Sequence, residues 1–225
     1  AEAIALLKVR MDTEDRRLRT AILHALDRAD YRAVAGDRGN IDDILWQELG
    51  DAAWIMAAIV DVGIDGGDAT DPLRRALEHR LRQIRGRCLQ LLGFTGDAET
   101  PKRAAEQLDS DVADQRAYAL EVLDTALSGD TRRYLMTLFE GVPATVALQQ
   151  MSTSFPQRLL GRNQRLSLLI TPGGHRFEPW IRACSVRAAI LLGEVDLAAD
   201  VAQRLDDDSR LVSETAAWAL RTLSP

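Results

Sequence analysis

Apolar positions along this chain recur at steps of three and four almost from end to end, which is the signature of amphipathic helices. In "DPLRRALEHRLRQIRGRCLQLLG" the stripe is Leu73, Leu77, Leu81, Ile84, Cys88 and Leu91. Pro72 sits where a first-turn proline belongs, after Asp71 as N-cap, and Gly93 is placed to close the far end. The preceding stretch, "NIDDILWQELGDAAWIMAAIVDVG", predicts a second long helix, capped by Asn40 and ended near Gly63. Its stripe is Ile41, Leu45, Leu49, Ala52, Met56 and Ile59. Between the two, "IDGGDATD" reads as a polar turn.

Beyond residue 97 the predicted helices are shorter and come in pairs. The spacing places them at 99–108, 112–127, 131–140, 144–152, 157–170, 179–192, 195–205 and 209–223. The segment "ITPGGHRFEP", with two prolines and two glycines, reads as a loop between them. No stretch predicts a strand.

A repeat underlies the pairing. "LDSDVADQRAYALEVL" begins at Leu108 and "LDDDSRLVSETAAWAL" begins at Leu205, 97 positions later. At that offset Leu108 matches Leu205, Asp109 matches Asp206, Ala119 matches Ala216, and Leu123 matches Leu220. A weaker copy, "NQRLSLL", places Gln164 and Arg165 49 positions after Gln115 and Arg116. A step of about 48 residues is close to that of HEAT and armadillo units, in which each hairpin must stack on its neighbours to bury its apolar face. The expected fold is therefore all-α: a HEAT-like α-solenoid of stacked helical hairpins with longer helices at its N-terminal end. Residues 1–96 form the long-helix part and 97–225 the repeats, within one continuous domain. Ala117, Leu120, Leu123 and Leu127 are expected to face the neighbouring helix.

Composition agrees with close helix packing, since aromatic content is 5% against 46% hydrophobic overall. The net charge of -6 opposes a dedicated nucleic-acid binder, whose affinity comes from neutralising phosphates. Cys88 and Cys184, the only cysteines, lie far apart at apolar helical positions, which fits an intracellular, cytoplasmic protein without disulfides. No apolar run reaches bilayer length, because "DAAWIMAAIV" is bounded by Asp51 and Asp61. The chain opens on "AEAIALLKVR", already helical in pattern and without an initiator Met or signal peptide, as expected of a piece of something longer.

Candidate chemistry is sparse. Glu121 and Asp124, three apart on one helix, could share acid–base work, but they serve more simply as ion-pair partners for Arg103, Arg132 or Arg133. His24, His79 and His175 are isolated from one another, so neither a metal nor a cofactor is expected. Arg74, Arg75, Arg80, Arg82, Arg85 and Arg87 crowd one helix. They form either a basic face for anionic lipid, nucleic acid or an acidic partner, or a solvated helix whose arginines bridge nearby acids. Trp46, Trp54, Trp180 and Trp218 could stack on a ligand, but in a chain poor in aromatics they are expected to fill gaps between helices, with Trp180 wedged between repeats. Structural or interaction roles therefore fall to Arg116, Glu121, Asp124, Trp180, Trp218, Arg74, Arg82 and Arg85.

Three stretches, "QRAYALEVLD" (115–124), "PWIRACSVRAAILLGE" (179–194) and "LVSETAAWALRTL" (211–223), resemble the soluble HEAT-repeat region of bacterial nucleotide-transporter-like proteins of the ATP/ADP translocase type. "IALLKVR" and "LRRALEHRLRQIRGRCLQLLGFTGD" resemble the part preceding those repeats. Ser213 departs from the pattern, standing where HEAT units usually carry Arg. The resemblance implies a non-enzymatic scaffold or regulatory domain at the cytoplasmic face of the inner membrane. It would couple a membrane transporter module to a soluble sensor, often a cyclic-nucleotide-binding domain, through protein–protein contacts. The alternative is a HEAT-like DNA-binding enzyme of the alkylpurine DNA glycosylase type, which needs a basic groove lined with Trp, Arg and a carboxylate. A third reading is a small-ligand binder between the long helices and the repeats.

Overall fold

A computed structural model describes residues 2–63, 67–96, 99–108, 110–127, 129–171 and 178–223. Among them every regular element is helical: α1 (Glu2–Val9), α2 (Arg16–Arg28), α3 (Arg38–Val62), α4 (Asp71–Thr95), α5 (Glu99–Leu108), α6 (Ala113–Ala126), α7 (Arg132–Glu140), α8 (Ala144–Met151), α9 (Arg162–Ile170), α10 (Pro179–Leu191), α11 (Ala198–Ala202) and α12 (Arg210–Leu223). No helix of the described residues is long and apolar enough to cross a membrane.

The chain divides into two compact units. The first comprises Ala1–Trp54 and Leu81–Gln157, the second Ile55–Arg80 and Arg158–Pro225. The expected boundary at 96/97 falls inside the first unit, and the division passes through both long helices.

In the first unit the predicted stripes become core. Ile41, Leu45 and Leu49 of α3 and Ile84, Cys88 and Leu91 of α4 are buried, together with Ile22, Leu23 and Leu26 of α2. α2 starts cleanly because the Asp15 carboxylate accepts from the Arg17 and Leu18 backbone N–H groups, satisfying two otherwise orphaned donors. α5 and α6 then form the hairpin that the repeat predicts, and α6 packs on α7 and α7 on α8. The face of α6 differs from expectation. Ala117 is exposed, while Ala119 and Leu123 are buried with Leu127 just beyond the helix. The inward line of α6 runs through Ala119 and Leu123, four apart, and Ala117, two positions before Ala119, falls on the outer side.

In the second unit Ile55, Met56, Ala57 and Ala58 of α3, Leu73 and Leu77 of α4, and Leu166, Leu169 and Ile170 of α9 are buried. α10 packs against both α9 and α12. Ala216 is as fully buried in α12 as its repeat counterpart Ala119 is in α6. Small residues at these positions let helix backbones approach closely.

Four boundaries depart from the sequence pattern. Asn40 is not a cap, because α3 starts at Arg38, continuing a 3-10 turn over Ala35–Asp37. Gly93 does not end α4, which continues to Thr95 with Gly93 buried inside it. α9 begins at Arg162 and not near 157, after an irregular stretch that contains Pro156. The helix expected at 195–205 is a 3-10 turn, Val195–Leu197, followed by the five-residue α11. Beyond Ala202 the backbone tightens into i→i−3 turns, with the Arg204 N–H on the Val201 carbonyl and the Leu205 N–H on that of Ala202. Asp207 accepts from the Ser209 N–H at 3.0 Å in the turn that leads into α12. Much of "ITPGGHRFEP", including His175, and Asp109 of the repeat lie outside the described residues.

Candidate functional site

The most heavily charged interior position is Glu48, on the apolar stripe of α3 and fully buried. Two helices bring arginines to it. Arg87 of α4 donates from Nε to Oε1 at 3.0 Å and from Nη2 to Oε2 at 2.7 Å, a two-pronged geometry. Arg19 of α2 donates from Nη1 to Oε1 at 3.0 Å. The rest of the Arg19 guanidinium is used as well: Nε donates to the Thr13 carbonyl at 3.1 Å and Nη2 to the Gln47 Oε1 at 2.8 Å. Arg16 pairs with Asp51 beside this cluster.

Burial acts to raise the pKa of Glu48, but the hydrogen bonds and charges of Arg87 and Arg19 outweigh it and hold the carboxyl below the ordinary glutamate value. Burial likewise acts to lower Arg87, and Glu48 overcomes it. For Arg16 burial prevails over Asp51 and Glu48, so its pKa is lowered. A carboxylate held ionised by two arginines is fastened in place, whereas an acid–base catalyst needs a pKa near working pH. This cluster ties α2, α3 and α4 together.

The second unit has a simpler version. Arg165 of α9 and Asp61 of α3 form a buried pair, with Nη2 and Oδ2 2.7 Å apart. At the acidic turn before α12, Asp207 receives Arg182 of α10 at 3.1 Å and Arg204 at 3.6 Å. Burial raises both thiols, Cys184 to about 11 and Cys88 further, so neither is a thiolate at neutral pH.

The residues singled out from sequence scatter. Asp124 pairs with Arg132 at 2.8 Å, while Glu121 is an exposed side chain on the same helix. Arg116 donates to the Ser110 carbonyl at 2.6 Å, tying down the turn before α6. Arg74 bridges Asp71 and Glu78, and Arg75 also reaches Asp71. Arg80 meets Glu178 at 3.5 Å. Arg82 is exposed and Arg85 half-buried. Four of the six arginines of α4 are thus drawn to acids of the same chain: Arg74 and Arg75 to Asp71, Arg80 to Glu178 and Arg87 to Glu48.

Trp180 is 54% exposed, so it does not wedge between helices; it stands at the first turn of α10 with its indole in solvent. Trp46 belongs to a packed trio with Tyr134 and Phe155, at ring-centroid distances of 5.7 and 5.1 Å, and is not free to stack on a base. Trp54 is half-buried.

Sequence reading missed Glu48, Arg19, Asp61 and Arg165 as a group. The signal existed for three of them. Glu48 sits at the i+3 position from Leu45, Arg19 at i−3 from Ile22, and Arg165 at i−4 from Leu169, each a charge on an apolar stripe. Charges there are buried and must be paired.

On the outside of the second unit two open grooves stand out. One, lined by Arg187, Leu211, Glu214, Thr215 and Trp218, runs along α10 and α12. Arg187 is committed there, donating to the Asp68 carbonyl at 3.1 Å. The other lies between α9 and the segment 195–202, lined by Leu160, Asn163, Leu168, Asp196, Leu197 and Asp200 among others. No group of three or more His, Cys, Asp or Glu side chains among the described residues is placed to hold a metal ion. No family model, curated protein or solved structure matches the chain.

Proposed function

We propose that this chain is a non-enzymatic scaffold: a set of HEAT-like helix pairs that couples a membrane nucleotide-transporter-like module to a soluble partner or sensor domain through protein–protein contacts. The observation that carries the reading is the fate of the interior charges. Glu48, the best buried carboxylate, is shared by arginines from two other helices and held below its ordinary pKa. Such a group holds helices in register; it is not poised for proton transfer.

Three further features support the same reading. The turns before α6 and before α12, which carry the acidic run of the repeat, are each tied by arginine: Arg116 to the Ser110 carbonyl, Arg182 and Arg204 to Asp207. The segments that resemble the transporter-associated repeats coincide with α6, α10 and α12. Apolar and aromatic side chains, Trp180, Leu211 and Trp218, face solvent beside the second unit's helix pair, as a docking surface requires. Two observations weigh against the DNA-glycosylase alternative: Trp46 is packed against Tyr134 and Phe155, and four of the six α4 arginines, Arg74, Arg75, Arg80 and Arg87, pair with acids of the same chain.

The test combines two experiments. The modules encoded on either side in the same reading frame are purified and titrated against this domain, and the domain is titrated with duplex DNA in a gel shift at low and moderate salt. Binding to a neighbouring module without a DNA shift supports the scaffold. The absence of such modules, or tight DNA binding that weakens steeply with salt, overturns it.

A further inference from the structure

We propose that the groove between α9 and the segment 195–202 docks a basic amphipathic helix of a partner protein. The assignment rests on the scaffold reading and names the chemistry of one partner.

The groove encloses about 480 Å³. Leu160, Leu168 and Leu197 supply its aliphatic floor, with Asn163, Gln164 and Ser167 of α9 beside them, and Leu168 is 47% exposed. Val195, 66% exposed, adjoins it at the start of the 3-10 turn. Leu168 on α9 and Val195, the sequence neighbour of Asp196, each leave apolar surface open to solvent of the kind that a helix lays its i, i+4 side chains against.

The rim decides the sign of the occupant. Asp196 and Asp200, four apart and on the groove side of the segment, form no ion pair with any described residue. The buried acids of the chain are neutralised from within, Asp61 by Arg165 and Asp207 by Arg182 and Arg204, whereas Asp196 and Asp200 stand open beside apolar surface. Glu194, at the edge, accepts from the Asn163 amide at 2.5 Å, which fixes that side of α9 against the turn without neutralising the carboxylate. The strand of sequence that follows adds Asp206 and Asp208, both exposed. An aliphatic floor beneath unpaired carboxylates is complementary to a helix with Leu or Ile on one face and Lys or Arg flanking it. An acidic or purely polar helix would meet repulsion or leave the floor wet.

The experiment is a fluorescence-anisotropy titration of the 225-residue chain with three labelled synthetic helices: one of Leu and Lys at amphipathic spacing, one with Glu replacing every Lys, and a scramble of the first. The Leu–Lys helix is expected to bind and the other two to fail. Asp196→Lys with Asp200→Lys is expected to weaken binding by about tenfold or more. Leu168→Gln, a change at an exposed position that leaves the fold intact, weakens it through the floor. Asp42→Lys with Asp43→Lys, the same charge change on exposed positions of α3, leaves the affinity within about twofold. Equal weakening by the α3 pair, insensitivity to both groove variants, or no binding of the Leu–Lys helix overturns the proposal. In those cases a neighbouring module that still binds the domain leaves the scaffold reading standing, so the two failures are told apart.

Discussion

Arg165 and Asp61, 104 residues apart in sequence, meet in the interior of the second unit at 2.7 Å with both side chains 2% exposed. The pair fastens α9 to the end of α3, and Arg162 reinforces it by donating from Nε to the Val62 carbonyl at 2.8 Å. Removing one partner strands the other charge. Asp61→Asn is expected to destabilise the second unit by about 3–5 kcal/mol, read as a lowered urea midpoint and as faster amide exchange across α9. Amide exchange unchanged in α9 would contradict the assignment.

Glu48 is the corresponding point of the first unit. Glu48→Gln leaves two buried guanidinium groups with one neutral acceptor, and a loss of about 3–5 kcal/mol is expected in urea unfolding. Replacing Arg19, Glu48 and Arg87 together by Met, Leu and Met removes the uncompensated charge and recovers most of that loss. The residual deficit comes from the Thr13 and Asp12 carbonyls, which lose their donor in Arg19.

A pH effect is expected at the other end of the chain. Asp37 accepts from Lys8 at 2.6 Å and from the Tyr31 hydroxyl at 2.7 Å, and these bonds hold its carboxyl below the usual range. Its contribution to stability is present above the unfolded value of about 4 and fades as pH falls through the lower folded value. Wild type therefore exceeds Asp37→Asn in stability at neutral pH, and the gap closes in strong acid. α1, which buries no side chain of its own, shows the difference first in amide exchange. A gap that widens on acidification would reverse the assigned sign.

Gly63 ends α3 at φ +75°, and a Cβ built there meets Arg162 Nη2 at 3.1 Å. Gly63→Ala is expected to cost about 1 kcal/mol or more, with thermal unfolding as the readout. Gly36, where an added Cβ meets nothing within 4 Å, is the matched control.

How far the sequence carried the fold depended on whether the governing contact was local. The α4 stripe was legible because its six apolar residues lie on one side of any helix with that spacing: Leu73, Leu77, Ile84, Cys88 and Leu91 are buried, and Leu81 is half-buried. Ala119 and Ala216 were legible only as equivalent positions of the repeat; the stripe expected on α6 ran through Ala117, which is exposed, and not through Ala119. Helix ends were less so. Asn40 and Gly93 have cap chemistry, but both lie inside helices, where neighbouring packing overrides propensity. The ion pairs were hardest. Six arginines on α4 can be counted from sequence, yet the partner of Arg87 stands 39 residues away and that of Arg165 stands 104 away. Trp180 was misjudged because its apolar ring suggests burial, whereas its place at the first turn of α10 points it outward.

The claim on which the account turns is that Glu48 is a fastener and not an acid or base. It is tested most directly by following the Glu48 side-chain carboxyl resonance with pH in selectively labelled protein. The account predicts one titration below the ordinary glutamate value and no change between pH 5 and 8, with about 4.3 as the reference. A midpoint near neutrality would contradict it, and would make Glu48 a group ready to exchange a proton.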